Sequence, residues 1–332
     1  MNDWDATSYA AKENLLRVLR READALFQMA EGSDSWTAPT ACPQWEIRDV
    51  VGHLIDVTES YFPAFHAAAT GTDVDEPLGL KVMRERLDEG AKSHRDLPRG
   101  EAMERLRTDF ETMMEICAAL GPEEWGGQLV THKYMGPLPA FFYPVFQLMD
   151  YGVHGWDVRQ GTGRAHGLGG DTADLLVPFM FILWQATTEV PADSEALAVG
   201  VRVSGRNAVD YLVNITSERL SYAQEDVSGM PAVIEFDPGS LVLTAFGRMN
   251  AGTIRGDRAV ADRFLNSFFR ILKGSCGPWM SPRSRRNVPG CTPSTSRPNG
   301  RRAARAVSIT PRCSAPTWSG RSASTRGSLS SR

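Results

Sequence analysis

The chain has 332 residues, of which 42% are hydrophobic and 23% are charged, and its formal net charge is −4. This composition excludes an intrinsically disordered protein, a disulfide-stapled miniprotein and a coiled coil, and the length suffices for one large domain or two ordinary ones. The charge is unevenly spread, because residues 275–332 carry eleven Arg and no Lys, Asp or Glu, which leaves 25 basic and 40 acidic side chains in residues 1–274. So acidic a body argues against a nucleic-acid partner, which would need clustered cations.

The N-terminal start and the cysteines both predict a cytoplasmic protein without a membrane partner. The start, MNDWD, lacks the basic segment of a secretory signal, and the longest apolar run, Leu175 to Trp184, has ten residues and contains Pro178. A membrane-spanning helix needs about twenty such residues. The five cysteines, at positions 42, 117, 276, 291 and 313, form no CxxC pair, which favours a reducing compartment.

Residues 1–190 are predicted to form a bundle of four or five helices. Apolar residues recur there at intervals of three and four, the spacing of a helix face that packs on a core. The predicted helices cover residues 8–30, 47–65, 103–120, 139–159 and 172–189. The fourth is expected to open at Pro139 or Pro144, because proline is tolerated in a first turn. Short connections between such helices are typical of a bundle.

Residues 195–273 are predicted to form a small α+β domain after a hinge at 191–195. The alternation of Leu197, Val199, Val201 and Val203 indicates a half-buried strand. Further strands are expected at 211–216, 219–224, 232–236 and 254–256, and helices at 237–247 and 258–272.

The remaining segment, residues 274–332, is rich in Arg, Ser, Pro and Gly. Two interpretations stay open: a disordered basic tail, or a stretch of a GC-rich gene read out of frame. Neither gives the segment a function.

A metal site is the first chemical hypothesis that the residues suggest. Asp150, His154 and Asp157 lie four and three residues apart on the fourth predicted helix, and therefore on one helix face. A carboxylate and an imidazole one turn apart can bind one divalent cation, and His53 from a facing helix could supply the third ligand. Two nitrogens and one oxygen suit Zn²⁺, while Fe, Ni and Co remain open.

Plainer interpretations of the same residues also remain open. His53 could pair with Asp49, one turn earlier, and Asp150 with His154 could be an ordinary helical ion pair. His132 could be a fourth ligand or a polar loop residue. Cys42 should not share a metal with His53 if one helix runs through both, since three turns of helix would separate them. No nucleophile motif stands out, so a reacting thiol would have to come from outside the chain.

Two segments resemble a known family. Residues 41–54, ACPQWEIRDVVGHL, resemble the CPxWxxxDVxxHL helix start of the DinB-like superfamily. Residues 150–159, DYGVHGWDVR, resemble the ExxxHxWDxR signature of its mycothiol-dependent maleylpyruvate isomerase branch. The resemblance implies a DinB-like metal-binding helical bundle followed by a domain similar to sterol carrier protein 2.

By this resemblance, His53, Asp150 and His154 match metal ligands, with the shorter Asp150 standing where the branch usually has Glu. Asp157 would orient a ligand or a bound water, and Trp156 would pack the wall of the site. Asp157 and Arg159 are taken as the candidate catalytic residues. Arg159, Arg202 and Arg255 are the candidate cations for an anionic substrate, each with a surface role as the alternative.

The resemblance also implies a reaction. Mycothiol, a low-molecular-weight thiol, would be activated as a thiolate by the metal, expected to be Zn²⁺, and would add to a small electrophile. With maleylpyruvate, addition, rotation and elimination would give the trans isomer; with other electrophiles, the protein would be a thiol S-transferase. The alternative hypothesis is a metal-stabilised protein that binds a small molecule or lipid without turnover. Either protein is expected to be a monomer or a homodimer.

Overall fold

The computed structural model of the chain describes residues 2–32, 35–164, 166–190 and 193–268, all within one compact unit. The predicted tail, 274–332, lies outside these residues, as do Pro191 and Ala192 of the predicted hinge. The domain boundaries proposed from the sequence stay predictions. Within the described residues, no helix combines the length and the apolar character that a membrane crossing requires.

The N-terminal part of the chain is helical, as predicted. Its helices are α1 Lys12–Glu31, α2 Ile47–Thr70, α3 Leu80–Ser93, α4 Arg99–Ala119, α5 Pro122–Gly127, α6 Phe142–Gly161 and α7 Gly170–Thr187. Helix α6 is central, because nearly every side chain from Tyr143 to Val158 is buried. It packs against α1, α2, α4 and α7. Whatever α6 displays on one face is therefore enclosed by its neighbours.

Three elements of this part were not predicted: α3, α5 and a hairpin. The hairpin consists of β1 Leu129–His132 and β2 Gly136–Pro139, paired antiparallel. Helix α3 buries Met83, Leu87 and Ala91, which are spaced four apart, so a helical signal was present in a mainly polar segment. Of the two prolines expected to open α6, Pro144 falls in its first turn, whereas Pro139 ends β2.

The C-terminal part is mixed strand and helix, as predicted. Its strands are β3 Leu197–Val203, β4 Val209–Ile215, β5 Leu220–Gln224, β6 Ala232–Phe236 and β7 Thr253–Gly256, and its helices are α8 Pro238–Ala245 and α9 Arg258–Leu265. The sheet order is β5-β4-β3-β6-β7, with β3 and β6 parallel and every other pair antiparallel. Helix α9 ends at Leu265, and residues 269–272 of its predicted span lie outside the described residues.

The two parts are packed on each other through α7. The ring centroid of Phe181 in α7 lies 4.0 Å from that of Tyr211 in β4. The ring centroid of Trp184, also in α7, lies 5.2 Å from that of Phe264 in α9. Helix α7 also packs against α8. The loop after α8 is thereby held against the buried face of the bundle, where it reaches the candidate site.

Candidate metal centre

Three side chains from α2 and α6 converge beside a cavity. His53 lies on α2, and Asp150 and His154 lie one turn apart on α6. Each offers a ligand atom, and these atoms all lie within 4.8 Å of one another. His53 Nε2 is 4.0 Å from Asp150 Oδ1, and the two imidazole centroids are 5.0 Å apart. The structure therefore brings together the three residues that the sequence predicted as metal ligands.

The protonation states of this trio suit a divalent cation. Burial, with the charges of His154 and Arg248, lowers the pKa of His53 well below its usual value, so its ring is neutral and able to coordinate. Burial raises the pKa of Asp150 to about 6, against the smaller opposing effects of the same two residues. A cation beside Asp150 would favour its ionised form. Two imidazoles and one carboxylate are a donor set that zinc and related metals accept.

His154 is oriented by a hydrogen bond to Asp157. Its Nδ1 lies 3.0 Å from Asp157 Oδ2, and both side chains are buried. A carboxylate only accepts, so Nδ1 carries the proton and Nε2 is the nitrogen that remains for a metal. A metal-binding histidine held by a carboxylate in this way is common in metal sites. Asp157 is therefore placed to orient His154, and the role that the resemblance implied for it stays a prediction.

Asp157 is also the centre of a second group of contacts. Arg248, in the loop after α8, donates to Asp157 from Nε at 2.9 Å and from Nη2 at 2.7 Å, and from Nη2 to Cys42 Sγ at 3.1 Å. The Cys42 thiol donates to Asp157 Oδ2 at 3.0 Å. Cys42, His154 and Asp157 could themselves hold a cation by their spacing. The guanidinium of Arg248 already provides the positive charge there.

The charges of this pair stabilise each other. Burial alone would oppose ionisation of Asp157, but the Arg248 charge and the hydrogen bonds from His154 and Arg248 lower the pKa of the carboxyl below its usual range. Burial likewise opposes the charge on Arg248, but Asp157 and Cys42 raise its pKa. Burial raises the pKa of Cys42 well above its usual value, although Arg248 opposes this. The thiol of Cys42 is therefore neutral.

Cys42 reaches this position because its segment crosses the end of α6. The N–H of Ala41 donates to the carbonyl of Asp157 at 2.9 Å. A Cβ on Gly161 would lie 2.1 Å from the carbonyl oxygen of Pro39, so only glycine permits the approach. Helix α2 starts only at Ile47, where Glu46 and Asp49 form a capping box. The segment around Cys42 is thus a loop, so one helix does not run through both Cys42 and His53; their side chains fall in different clusters of candidate ligands.

The cavity beside the trio has a volume of about 110 Å³. Much of its wall is apolar and comes from α2, α3, α6, α7, the β1–β2 hairpin and the segment after α8. The apolar lining residues include Val57, Met83, Leu87, Met135, Phe146, Met149, Leu183 and Phe246. Polar groups of His53, Asp150, His154, His132 and Arg248 also face this space. A largely apolar cavity with a few convergent polar groups is the usual form of a small-molecule site.

The comparison with protein families identifies the helical part of the chain. Residues 16–159 match the family described as mycothiol maleylpyruvate isomerase N-terminal domain, a range that contains all three members of the trio. This stretch of the chain is therefore similar to that N-terminal domain. No curated protein sequence matches the chain.

Solved structures resemble the chain at low identity. One is the crystal structure of the mycothiol-dependent maleylpyruvate isomerase, at 12% identity, and another is the structure of a mutant of that enzyme, at 11%. For each, the TM-score is 0.49 and the match covers 73% of this chain and 92% of the other. The colibactin self-resistance protein ClbS in complex with a dsDNA matches at 13% identity with a TM-score of 0.38, covering 46% of this chain and 94% of that one.

The predicted arginines do not line the cavity. Arg159 follows Asp157 on α6, but its Nη2 lies 4.0 Å from Glu22 of α1 and its Nη1 lies 4.0 Å from the sulfur of Met29. Arg202 donates to Asp210, and Arg255 donates to Glu235 on the sheet. The cations at the cavity are instead Arg248 and Lys133.

Other sequence expectations for this domain are also corrected. Trp45, rather than Trp156, packs on the two imidazoles, with ring centroids 5.2 Å from His53 and 5.7 Å from His154. Asp49 does not pair with His53, because Arg95 donates to both of its carboxylate oxygens, at 2.6 and 2.7 Å.

Sequence reasoning missed Arg248 altogether. It lies 91 residues beyond Asp157, in a loop with no motif of its own. Trp45 and Cys42, in contrast, belong to the CPxW motif that the sequence already displayed.

Proposed function

We propose that the protein is a metal-dependent, mycothiol-using enzyme of the maleylpyruvate isomerase type. The metal ligands in this proposal are His53, Asp150 and His154, and Zn²⁺ is the expected metal. The reaction is addition of the thiol to a small electrophile, followed by cis–trans isomerisation and release of the thiol. Transfer of the thiol to the electrophile is the related outcome if elimination does not follow.

The observation that carries the proposal is the convergence of the trio. His53 is about one hundred residues from Asp150 and His154, yet the three ligand atoms lie within 4.8 Å of one another beside a largely apolar cavity. The match of residues 16–159 to the family supports a thiol as the co-reactant. The state of Cys42 supports it too, since this thiol beside the trio is buried and neutral and is therefore not an ionised nucleophile.

The groups around the trio have distinct roles in this reaction. When bound, a divalent cation would hold the sulfur of the thiol as a thiolate at neutral pH. Asp157 fixes the tautomer and direction of His154, and Arg248 keeps Asp157 ionised. The apolar wall excludes water from the reacting sulfur and strengthens every electrostatic interaction in the cavity.

Metal analysis of the full-length chain tests the ligand assignment. We expect about one equivalent of divalent metal in the native protein, and loss of that metal in His53→Ala and His154→Ala. His66→Ala is the matched control, because His66 is an exposed residue of the same helix as His53. Retention of metal by both ligand variants would contradict the assignment.

Titration of mycothiol into the Co(II)-substituted protein tests the thiol. A thiolate-to-metal charge-transfer band is expected in the native protein and not in His53→Ala. A metal-loaded protein with no such band and no thiol-dependent turnover of any electrophile would favour the alternative, a metal-stabilised protein that binds a small molecule in its apolar cavity.

A further inference from the structure

His132 is a buried polar residue on the cavity wall that the proposed function does not use. It ends β1, is 6% exposed and lines the cavity. The backbone N–H of Tyr134 donates to its Nδ1 at 3.2 Å. Its other ring nitrogen, Nε2, has no hydrogen-bond partner among the residues that the structure describes. This nitrogen is not among the fully buried polar atoms that lack a partner, so it is open to the cavity, where a bound molecule can reach it.

The hydrogen bond from Tyr134 determines which nitrogen carries the proton. An amide N–H can only donate, so Nδ1 of His132 accepts and the ring proton lies on Nε2. Burial, with a smaller contribution from the charge of Lys133, lowers the pKa of His132 to about 4. The ring is therefore neutral at pH 7, and its Nε2–H is a donor that keeps its proton.

The position of His132 relative to the trio follows from its packing. Its ring lies 5.5 Å from that of Phe146 on α6 and 5.9 Å from that of Tyr61 on α2, between centroids. Phe146 precedes Asp150 by one helical turn, roughly 5–6 Å. His132 is not among the described residues whose ligand atoms cluster for a metal. His132 therefore lines the same cavity as the trio, and it packs against Phe146, which lies one helical turn before Asp150.

We propose that His132 is a catalytic residue that donates a hydrogen bond from Nε2 to the carbonyl oxygen of an α,β-unsaturated carbonyl substrate. The inference rests on the proposed function and names its substrate class. An electrophile without a conjugated carbonyl, such as an alkyl halide, would leave this donor without a role.

The electron flow accounts for the donor. The sulfur electron pair forms a C–S bond at the β carbon, the C=C bond electrons move to join the α and carbonyl carbons, and the negative charge collects on the carbonyl oxygen. His132 stabilises that oxygen without giving up its proton. The bond between the α and β carbons is now single, and rotation about it follows. The charge then returns, the C=C bond reforms and the C–S bond breaks, which releases the thiolate.

The kinetic test uses the Zn²⁺-loaded full-length protein, mycothiol and two electrophiles: a cis-enone and an alkyl iodide. Removing one oxyanion donor lowers kcat by about 10²–10³-fold in well-studied enzymes. We expect His132→Phe to show a loss of that order with the enone and no loss with the alkyl iodide, and His132→Gln, which keeps a donor, to recover part of it. Equal losses with both electrophiles, or none with the enone, would overturn the proposal.

A second measurement does not depend on turnover. In ¹⁵N-histidine spectra at pH 7, the signal that His132→Phe removes should belong to a neutral ring protonated at Nε2. A ring protonated at Nδ1, or a charged ring, would overturn the proposal. If the tautomer is as expected but the native protein turns over no electrophile with mycothiol, the proposed function fails and takes the catalytic role with it. If the native protein is active and His132→Phe is equally active, only this inference fails.

Discussion

The ion pair between Asp157 and Arg248 is expected to contribute strongly to the stability of the metal-free protein. Both side chains are at most 5% exposed, and Arg248 donates two hydrogen bonds to Asp157. Breaking a buried pair by removing one partner leaves an uncompensated charge and costs about 3–5 kcal/mol. We expect a loss of that order in the free energy of unfolding for Asp157→Asn and for Arg248→Met.

The double variant distinguishes this reasoning from two independent losses. Asp157→Asn with Arg248→Met leaves neither charge unpaired, so its loss should be smaller than the sum of the single losses by about 2–3 kcal/mol, the upper range for residues in direct contact. Asp157→Asn should also weaken zinc binding by about 10–100-fold, or 1.4–2.7 kcal/mol, because Asp157 orients His154.

Urea unfolding at pH 7 in the presence of a chelator measures the first effect, and competition with a zinc indicator measures the second. If the loss of unfolding free energy in the double variant equalled the sum of the two single losses, the two buried charges would not stabilise each other and the reasoning would be refuted. Unchanged zinc affinity in Asp157→Asn, in a variant that still folds, would refute the orienting role.

Three further predictions concern other positions. Gly52→Ala should lower the free energy of unfolding by about 1–3 kcal/mol, because its Cβ would lie 2.3 Å from the carbonyl oxygen of Ala91 on α3. Burial, and to a smaller extent the charge of Glu59, raises the pKa of Asp109 from 3.8 to about 6. The folded protein therefore loses stability as the pH rises from about 4 to 6 and the buried carboxyl ionises. Asp109→Asn should therefore gain stability over the native protein across that interval and keep the gain at pH 7. Cys42, buried and with a raised pKa, should react with maleimide only when the protein unfolds.

Each of these has a control and a contradicting result. Gly100→Ala should change stability by less than about 1 kcal/mol, since nothing lies within 4 Å of its Cβ; equal losses at both glycines would contradict the steric argument. Asp88→Asn should behave oppositely to Asp109→Asn, because hydrogen bonds from Lys92 and Trp45 outweigh burial and lower the pKa of Asp88. A difference in the free energy of unfolding between Asp109→Asn and the native protein that did not change with pH would contradict the raised pKa of Asp109. Peptide mapping that finds Cys42 labelled in the folded protein would contradict its burial.

Hydrophobic periodicity predicted most of the fold because the main elements bury one regular face. The alternation of Leu197 to Val203 became β3, and the stripe from Met103 to Cys117 became the buried face of α4. Helix α3 was missed because only Met83, Leu87 and Ala91 are buried in it. The β1–β2 hairpin was missed because its strands have four residues each, too few for periodicity to show.

The candidate site was predictable where its residues share a helix. The spacing of Asp150 and His154 follows from helical geometry, whereas their meeting with His53 depended on which helices pack together and was suggested by a family motif. Arg248 could not be predicted, since its contact with Asp157 depends on how α8 and the loop after it lie on the bundle. Arg159 was assigned to the substrate by its closeness to Asp157 in sequence, but two residues along a helix point in different directions.

The reach of Arg248 into the bundle has an evolutionary consequence. If residues 16–159 alone were transferred to another protein, Asp157 would be transferred without Arg248, which balances its charge. Joining this segment to a foreign C-terminal half would carry the stability loss expected for Arg248→Met, unless the new half placed a guanidinium at the same position. The boundary of the matched segment, residue 159, therefore separates Asp157 from the arginine that balances its charge.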